Sequence, residues 1–144
     1  VASVSKSALV YHSAQEMFEL VRDVDAYPEF LPWCHSSRIL REEPNQICAE
    51  IVVARLGIRQ TFSTCNKFRQ NEWMELELQD GPFKYLRGRW SFLPLRPDAC
   101  KVALDLDFEF SGALIDRAFG AIFNQIANTM VDAFCRRGDE VYGG

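Results

Sequence analysis

The chain has 144 residues, enough for one domain with a real core, and a single unit spanning 1–144 is expected. Its formal net charge of -4 gives DNA or an anionic surface no global attraction, so any RNA contact has to be local. No apolar run approaches the ~20 residues of a membrane-spanning helix and no signal-peptide pattern opens the chain, which predicts a soluble intracellular protein. The five cysteines, Cys34, Cys48, Cys65, Cys100 and Cys135, are odd in number, scattered and never in C-x-x-C spacing. They predict free thiols in a reducing compartment, not a disulfide framework.

Ala2 to Tyr11 sets Val4, Ala8 and Val10 in alternation and predicts a strand. A helix follows from His12-Ser13: Ser13 and Glu16 form a capping-box pattern, and Met17, Leu20, Val21 and Val24 give an apolar face. In Asp25-Ala-Tyr-Pro-Glu-Phe-Leu-Pro-Trp-Cys34, two prolines four apart forbid a long helix, and Pro28 suits the first turn of a short one. Tyr27, Phe30, Leu31 and Trp33 are too many large apolar residues for a plain loop. They predict either a lid over the end of the core or the rim of a ligand entrance.

From Ser37 onward an antiparallel meander is predicted: Ser37–Glu42, Ile47–Leu56, Ile58–Arg69, Trp73–Gln79, Tyr85–Leu93 and Cys100–Phe110, parted by turn-rich segments. The last strand alternates most cleanly, with Val102, Leu104, Leu106, Phe108 and Phe110 on one face and Asp105, Asp107 and Glu109 on the other. Met74, Leu76 and Leu78 repeat the pattern, as do Leu86, Trp90 and Phe92. Gly88 marks a place where its strand bends. One face of this sheet is apolar and one is wet.

Ala113 to about Val141 reads as a helix roughly 40 Å long. Its predicted stripe is Ile115, Phe119, Ile122, Ile126, Met130 and Ala133, with Phe123 and Phe134 on the shoulder. A helix of that length needs a broad apolar partner, and the sheet supplies it. The stripe is either a closed core seam or one wall of a cavity. The fold class predicted is α+β: seven strands curling round a long C-terminal helix, with two short helices after the first strand, the helix-grip arrangement.

No catalytic pattern emerges. His12 and His35 belong to no recognisable nucleophile–base set and are expected at the surface or in a cap. Neither the Cys34-His35 pair nor the acidic row Asp105, Asp107, Glu109 has the spacing or loop of a metal site, so no metal ligands are assigned. The basic residues permit one register calculation. A tight turn at Gln70–Glu72 sets Lys67 opposite Glu75, and the Asp80–Lys84 turn sets Glu77 opposite Arg87 and Glu75 opposite Arg89. These rows are either ordinary sheet chemistry or a partner-binding patch.

Asp80-Gly-Pro-Phe-Lys-Tyr-Leu-Arg-Gly-Arg-Trp90, Leu104-Asp-Leu-Asp-Phe-Glu-Phe110 and Tyr27-Pro-Glu-Phe-Leu-Pro-Trp-Cys34 resemble the family that joins bacterial ribosome association toxins to mitochondrial coenzyme Q-binding proteins. That family belongs to the START-like, polyketide cyclase-like helix-grip superfamily, with the Bet v 1-like architecture, and the likeness runs over nearly the whole chain. It implies two activities of different class. One is non-enzymatic binding of a hydrophobic ligand, a polyprenyl quinone such as ubiquinone, in support of respiration. The expected lining is Tyr27, Phe30, Leu31, Trp33, Met74, Leu76, Leu78, Trp90, Phe92, Leu104, Leu106, Phe108, Phe119, Ile122, Ile126 and Met130. The other is toxin-like association with the large ribosomal subunit, blocking subunit joining. Arg59, Lys67, Arg69, Lys84, Arg87 and Arg89 are the candidate contacts. The resemblance implies no required cofactor, a bacterial cytoplasmic location, and transient contact with the inner membrane through the Tyr27–Trp33 rim. A cyclase is the third class, and the inward positions are too apolar to supply its acid/base pair.

Overall fold

The computed structural model describes residues 2–143. The elements are β1 (Ala2–Val10), α1 (Ala14–Arg22), a short 3-10 helix (Val24–Glu29), β2 (Cys34–Glu43), β3 (Gln46–Arg55), β4 (Ile58–Arg69), β5 (Trp73–Asp80), β6 (Phe83–Arg96), β7 (Ala99–Phe110) and α2 (Ala113–Tyr142). All seven strands form one antiparallel sheet in the order β1-β7-β6-β5-β4-β3-β2. The α+β helix-grip fold expected from the alternation is therefore the fold found.

The chain starts α1 as the capping box predicts. The Ser13 hydroxyl accepts from the Glu16 amide at 3.1 Å, and the Ser13 amide donates to the Glu16 carboxylate at 2.9 Å. Met17, Phe18 and Val21 go into the core. The helix stops at Arg22, two residues short of the predicted face, because Asp23 leaves helical geometry and Val24 opens the 3-10 turn. β6 runs three residues beyond its predicted end at Leu93, and β2 begins at Cys34, three residues before its predicted start at Ser37.

Two sequence expectations are corrected, one by the sheet register and one by packing against α2. β3 and β4 are joined by Leu56-Gly57, both at positive φ (52° and 80°), the backbone that a two-residue hairpin turn requires. That turn pairs Arg55 with Ile58 and so, seven rungs further in, Cys48 with Cys65. The two cysteines are joined in a disulfide, which leaves Cys34, Cys100 and Cys135 as free thiols. His12 is not at the surface either. It is buried at 4% exposure and bonds through Nε2 to Asp139 Oδ1 at 2.7 Å, tying the end of β1 to the last turns of α2. His35 is exposed on β2.

The inner sheet face carries Met74, Trp90, Phe92, Leu104, Leu106 and Phe108, all buried, with Leu76 and Leu78 half-buried. Asp105 and Asp107 point away and accept hydrogen bonds from Ser5 and Ser3, each at 2.6 Å. The most buried line of α2 is Phe119, Phe123, Ile126, Ala127, Val131, Phe134 and Gly138, rotated from the predicted stripe. Small residues set this rotation. A Cβ at Gly138 would lie 3.0 Å from Met17 Sδ and 3.1 Å from His12 Cδ2, so the helix lies close against α1 and His12 where it has no side chain. Ile115, Ile122, Met130 and Ala133 are left half-buried on the flank. Phe123 fills the space beneath Phe108 and Phe83 (both 4.9 Å between ring centroids), and Phe134 does so beneath Trp90 (5.2 Å). Burial of each such side chain contributes about 1.5–3 kcal/mol.

Candidate functional site

The sheet does not wrap the helix completely. Between the start of β2, the end of β3 and the flank of α2 lies a cavity of ≈ 200 Å³. Leu31, Pro32 and Trp33 form one wall, Ile122, Gln125, Ile126, Thr129, Ala133 and Arg136 of α2 the other, and Arg55 stands at the end of β3. The rotation of α2 creates this wall, because it turns Ile122 and Ala133 away from the sheet and toward the lid.

The lid is held to α2 by rings and one ion pair. Tyr27 and Phe30 meet Phe134 edge-on at 5.4 and 5.1 Å. Arg137 lies 4.9 Å above the Phe30 ring and bonds to Glu29 at 3.1 Å. The Tyr27 hydroxyl donates to the Val21 carbonyl, and burial raises its pKa far above the ordinary tyrosine value. Behind the lid, burial pushes the Cys34 thiol up to about 11 against the opposing hydrogen bond from Ser37. Burial does the same to Cys100 and Cys135, each about 11. All three are protonated thiols at neutral pH and weak nucleophiles.

Of the predicted ligand residues, Leu31, Trp33, Ile122 and Ile126 line this cavity together. Tyr27 and Phe30 pack beside it. Met74, Trp90, Phe92, Leu104, Leu106, Phe108 and Phe119 lie deeper, in the packed core, and Met130 is half-buried on the flank. Leu76 and Leu78 also border a groove on the outer face. Sequence reasoning missed Arg55, Arg136, Gln125 and Thr129. Their signal was present on α2, where positions 122, 125, 129, 133 and 136 follow the helical period as a mixed polar–apolar face.

The second predicted set lies on the outer face. A groove of ≈ 930 Å³ gathers Lys67, Lys84, Arg87 and Arg89, and leaves out Arg59 and Arg69. The calculated register holds: Lys67 opposite Glu75, Glu75 opposite Arg89, Glu77 opposite Arg87. β7 adds a further carboxylate to each row, Asp105 beside Arg89 and Asp107 beside Arg87. Arg89 lies 3.7 Å from Glu75 and stacks on Trp73, Lys84 lies 3.4 Å from Glu109, and Arg69 bonds to Glu72 at 2.9 Å. Arg87 covers the Tyr85 ring. No described helix is long and apolar enough to cross a membrane.

Residues 10–135 match the family described as polyketide cyclase / dehydrase and lipid transport. The chain is 50% identical over 140 residues to the ribosome association toxin RatA of Vibrio cholerae, covering 97% of each. It is 27% identical over 143 residues to the mitochondrial coenzyme Q-binding protein COQ10 homolog B of Xenopus laevis, covering 96% of this chain and 59% of that one. The Zhui aromatase/cyclase of Streptomyces sp. R1128 superposes with a TM-score of 0.86 at 16% identity, over 99% of this chain and 98% of that one, and shows the fold alone. With the match over residues 10–135 and half of all residues shared with RatA, the chain belongs to the START-like polyketide cyclase and lipid transport family, in the branch that unites RatA with the coenzyme Q-binding proteins.

Proposed function

We propose that the chain binds a hydrophobic ligand without chemical conversion, its access route being the cavity between the lid and α2. One observation carries this reading: the molecule keeps an apolar slot, floored by Leu31 and Ile126, on an otherwise tightly packed helix–sheet seam. The isoprenoid quinone implied by the coenzyme Q-binding relative is the candidate ligand, with its head at the Tyr27–Trp33 rim. Small-molecule sites usually enclose ~300–1,000 Å³, so the ≈ 200 Å³ slot accepts a whole quinone only when the lid moves off α2. Lipid extraction and mass spectrometry of the protein purified from its own host recovers a quinone on this reading. Ala133→Arg, which puts a charge into the half-buried wall of the slot, removes it. Recovery of no lipid, with no binding of added quinone, ends the proposal.

A second reading is favoured by the names of the Vibrio cholerae and Pseudomonas aeruginosa relatives, 50% and 44% identical, each a ribosome association toxin RatA. On it, the chain associates with the large ribosomal subunit through its outer face, and RNA phosphate contacts make that association fall with salt. Failure of the protein to co-sediment with large subunits at any salt concentration rejects this reading and leaves the first untouched.

A further inference from the structure

We infer that the slot between the lid and α2 prefers an amphiphile with an anionic head, a carboxylate or phosphate on an apolar chain, over a neutral one. The inference rests on the reading of this slot as a hydrophobic-ligand site, and not on the quinone, whose neutral head it ranks below an acidic one. The floor is apolar, with Leu31 at 1% exposure and Ile126 at 3%, and Trp33 and Ile122 at the sides. The rim is cationic, because Arg55 from the end of β3 and Arg136 from α2 line the same slot from opposite sides.

These two arginines differ from most of the others. Arg22, Arg38, Arg41, Arg69, Arg89, Arg96 and Arg137 each have a carboxylate within 4.0 Å. Neither Arg55 nor Arg136 has one among the described residues. Along α2, Asp132 and Glu140 lie one turn to either side of Arg136 without forming an ion pair to it. Two guanidinium groups facing one apolar slot therefore keep their donors free. A planar carboxylate or a phosphate satisfies such donors with charge-assisted, two-point hydrogen bonds, whereas an alcohol or a quinone carbonyl offers only neutral acceptors. The apolar floor then takes the chain, and the two requirements together describe an acidic amphiphile.

The test uses the whole protein and a probe pair matched in chain length: decanoate and 1-decanol, both below their aggregation limits, titrated at pH 7.5 by calorimetry. The expected result is decanoate binding about tenfold tighter, an advantage that shrinks as salt rises. In Arg55→Gln with Arg136→Gln the ratio of the two affinities falls to near one. In Arg55→Lys with Arg136→Lys, which keeps the charge, most of the ratio survives. A thermal melt of each variant checks that it is folded. Equal binding of decanoate and decanol by the native protein overturns the anion preference while the hydrophobic-ligand reading stands. Binding of neither probe, nor of a short-chain quinone, removes that reading and this inference with it. Flotation with phosphatidylglycerol vesicles but not phosphatidylcholine vesicles, without binding of monomeric decanoate, overturns the slot assignment and gives the arginines to a membrane surface.

Discussion

At the scale of single residues, absent side chains shape this molecule as much as present ones. Gly88 sits in β6 opposite Leu106 on one side and Leu76 on the other. A Cβ there would meet Leu106 Cδ1 at 2.6 Å and the Asp105 carbonyl oxygen at 2.7 Å. The side chain can turn aside, but the carbonyl belongs to the ladder and moves only with β7. Gly88→Ala is therefore expected to destabilise the protein by about 1–3 kcal/mol, as overpacking does elsewhere, read as a lower denaturant midpoint with an unchanged slope. A native midpoint would mean that the strands spread at no cost. The sequence pointed to Gly88 because a glycine interrupts an otherwise regular strand. Nothing comparable marked Gly138, since a glycine inside a helical pattern is silent about what approaches it.

At the scale of elements, the lid is the piece whose strength matters to function. Its three turn-closing amides, Ala26, Phe30 and Leu31, bond only within the segment, to the carbonyls of Asp23 and Tyr27. What fastens it to α2 is the Tyr27–Phe30–Phe134 ring cluster and Arg137, which is mostly buried and reaches both Glu29 and the Phe30 ring. Arg137→Ala should cost about 1 kcal/mol of stability. It should also speed hydrogen exchange at Ala26, Phe30 and Leu31 while the β6–β7 amides stay protected. Equal acceleration in both places would show that the arginine supports the whole fold and not the lid. The aromatic stretch was legible as a covering element because its apolar residues exceed what a loop tolerates. Its partner was less so: periodicity located the apolar side of α2, but the exact facing depends on Gly138 and Ala127, which carry almost no hydrophobic signal. The disulfide was readable in principle, since a two-residue turn at Leu56-Gly57 fixes Cys48 against Cys65 by counting. It was missed because cysteine spacing was weighed along the chain and not across a hairpin.

At the scale of the whole molecule, charge is organised in rows and not in a basic patch. Across the outer face run Lys67, Glu75, Arg89, Asp105 and Ser5 in one rank, and Cys65, Glu77, Arg87, Asp107 and Ser3 in the next. Half of each row was legible from the two β-turns beside β5, whereas the β7 contribution depends on the bulge between Pro94 and Arg96, which shifts the register of the β6–β7 hairpin by one residue. Every arginine in these ranks has an acid on both sides, so an RNA phosphate has to compete with two carboxylates for each guanidinium. As the contact face of the ribosome reading, the rows predict that Arg87→Gln with Arg89→Gln abolishes co-sedimentation with large subunits at low salt. The cost to stability stays within about 1 kcal/mol, because only exposed pairs are lost. Charge reversal at the same two positions is the poorer experiment. It sets like charges against Glu77 and Asp107 in one row and against Glu75 and Asp105 in the other, each such contact destabilising by ~0.2–1 kcal/mol, so lost binding would be confounded with lost structure. Undiminished sedimentation of the glutamine pair, with a native melting point, removes these rows from consideration and moves the contact to the candidate cations outside them, Arg59, Arg69 and Lys84.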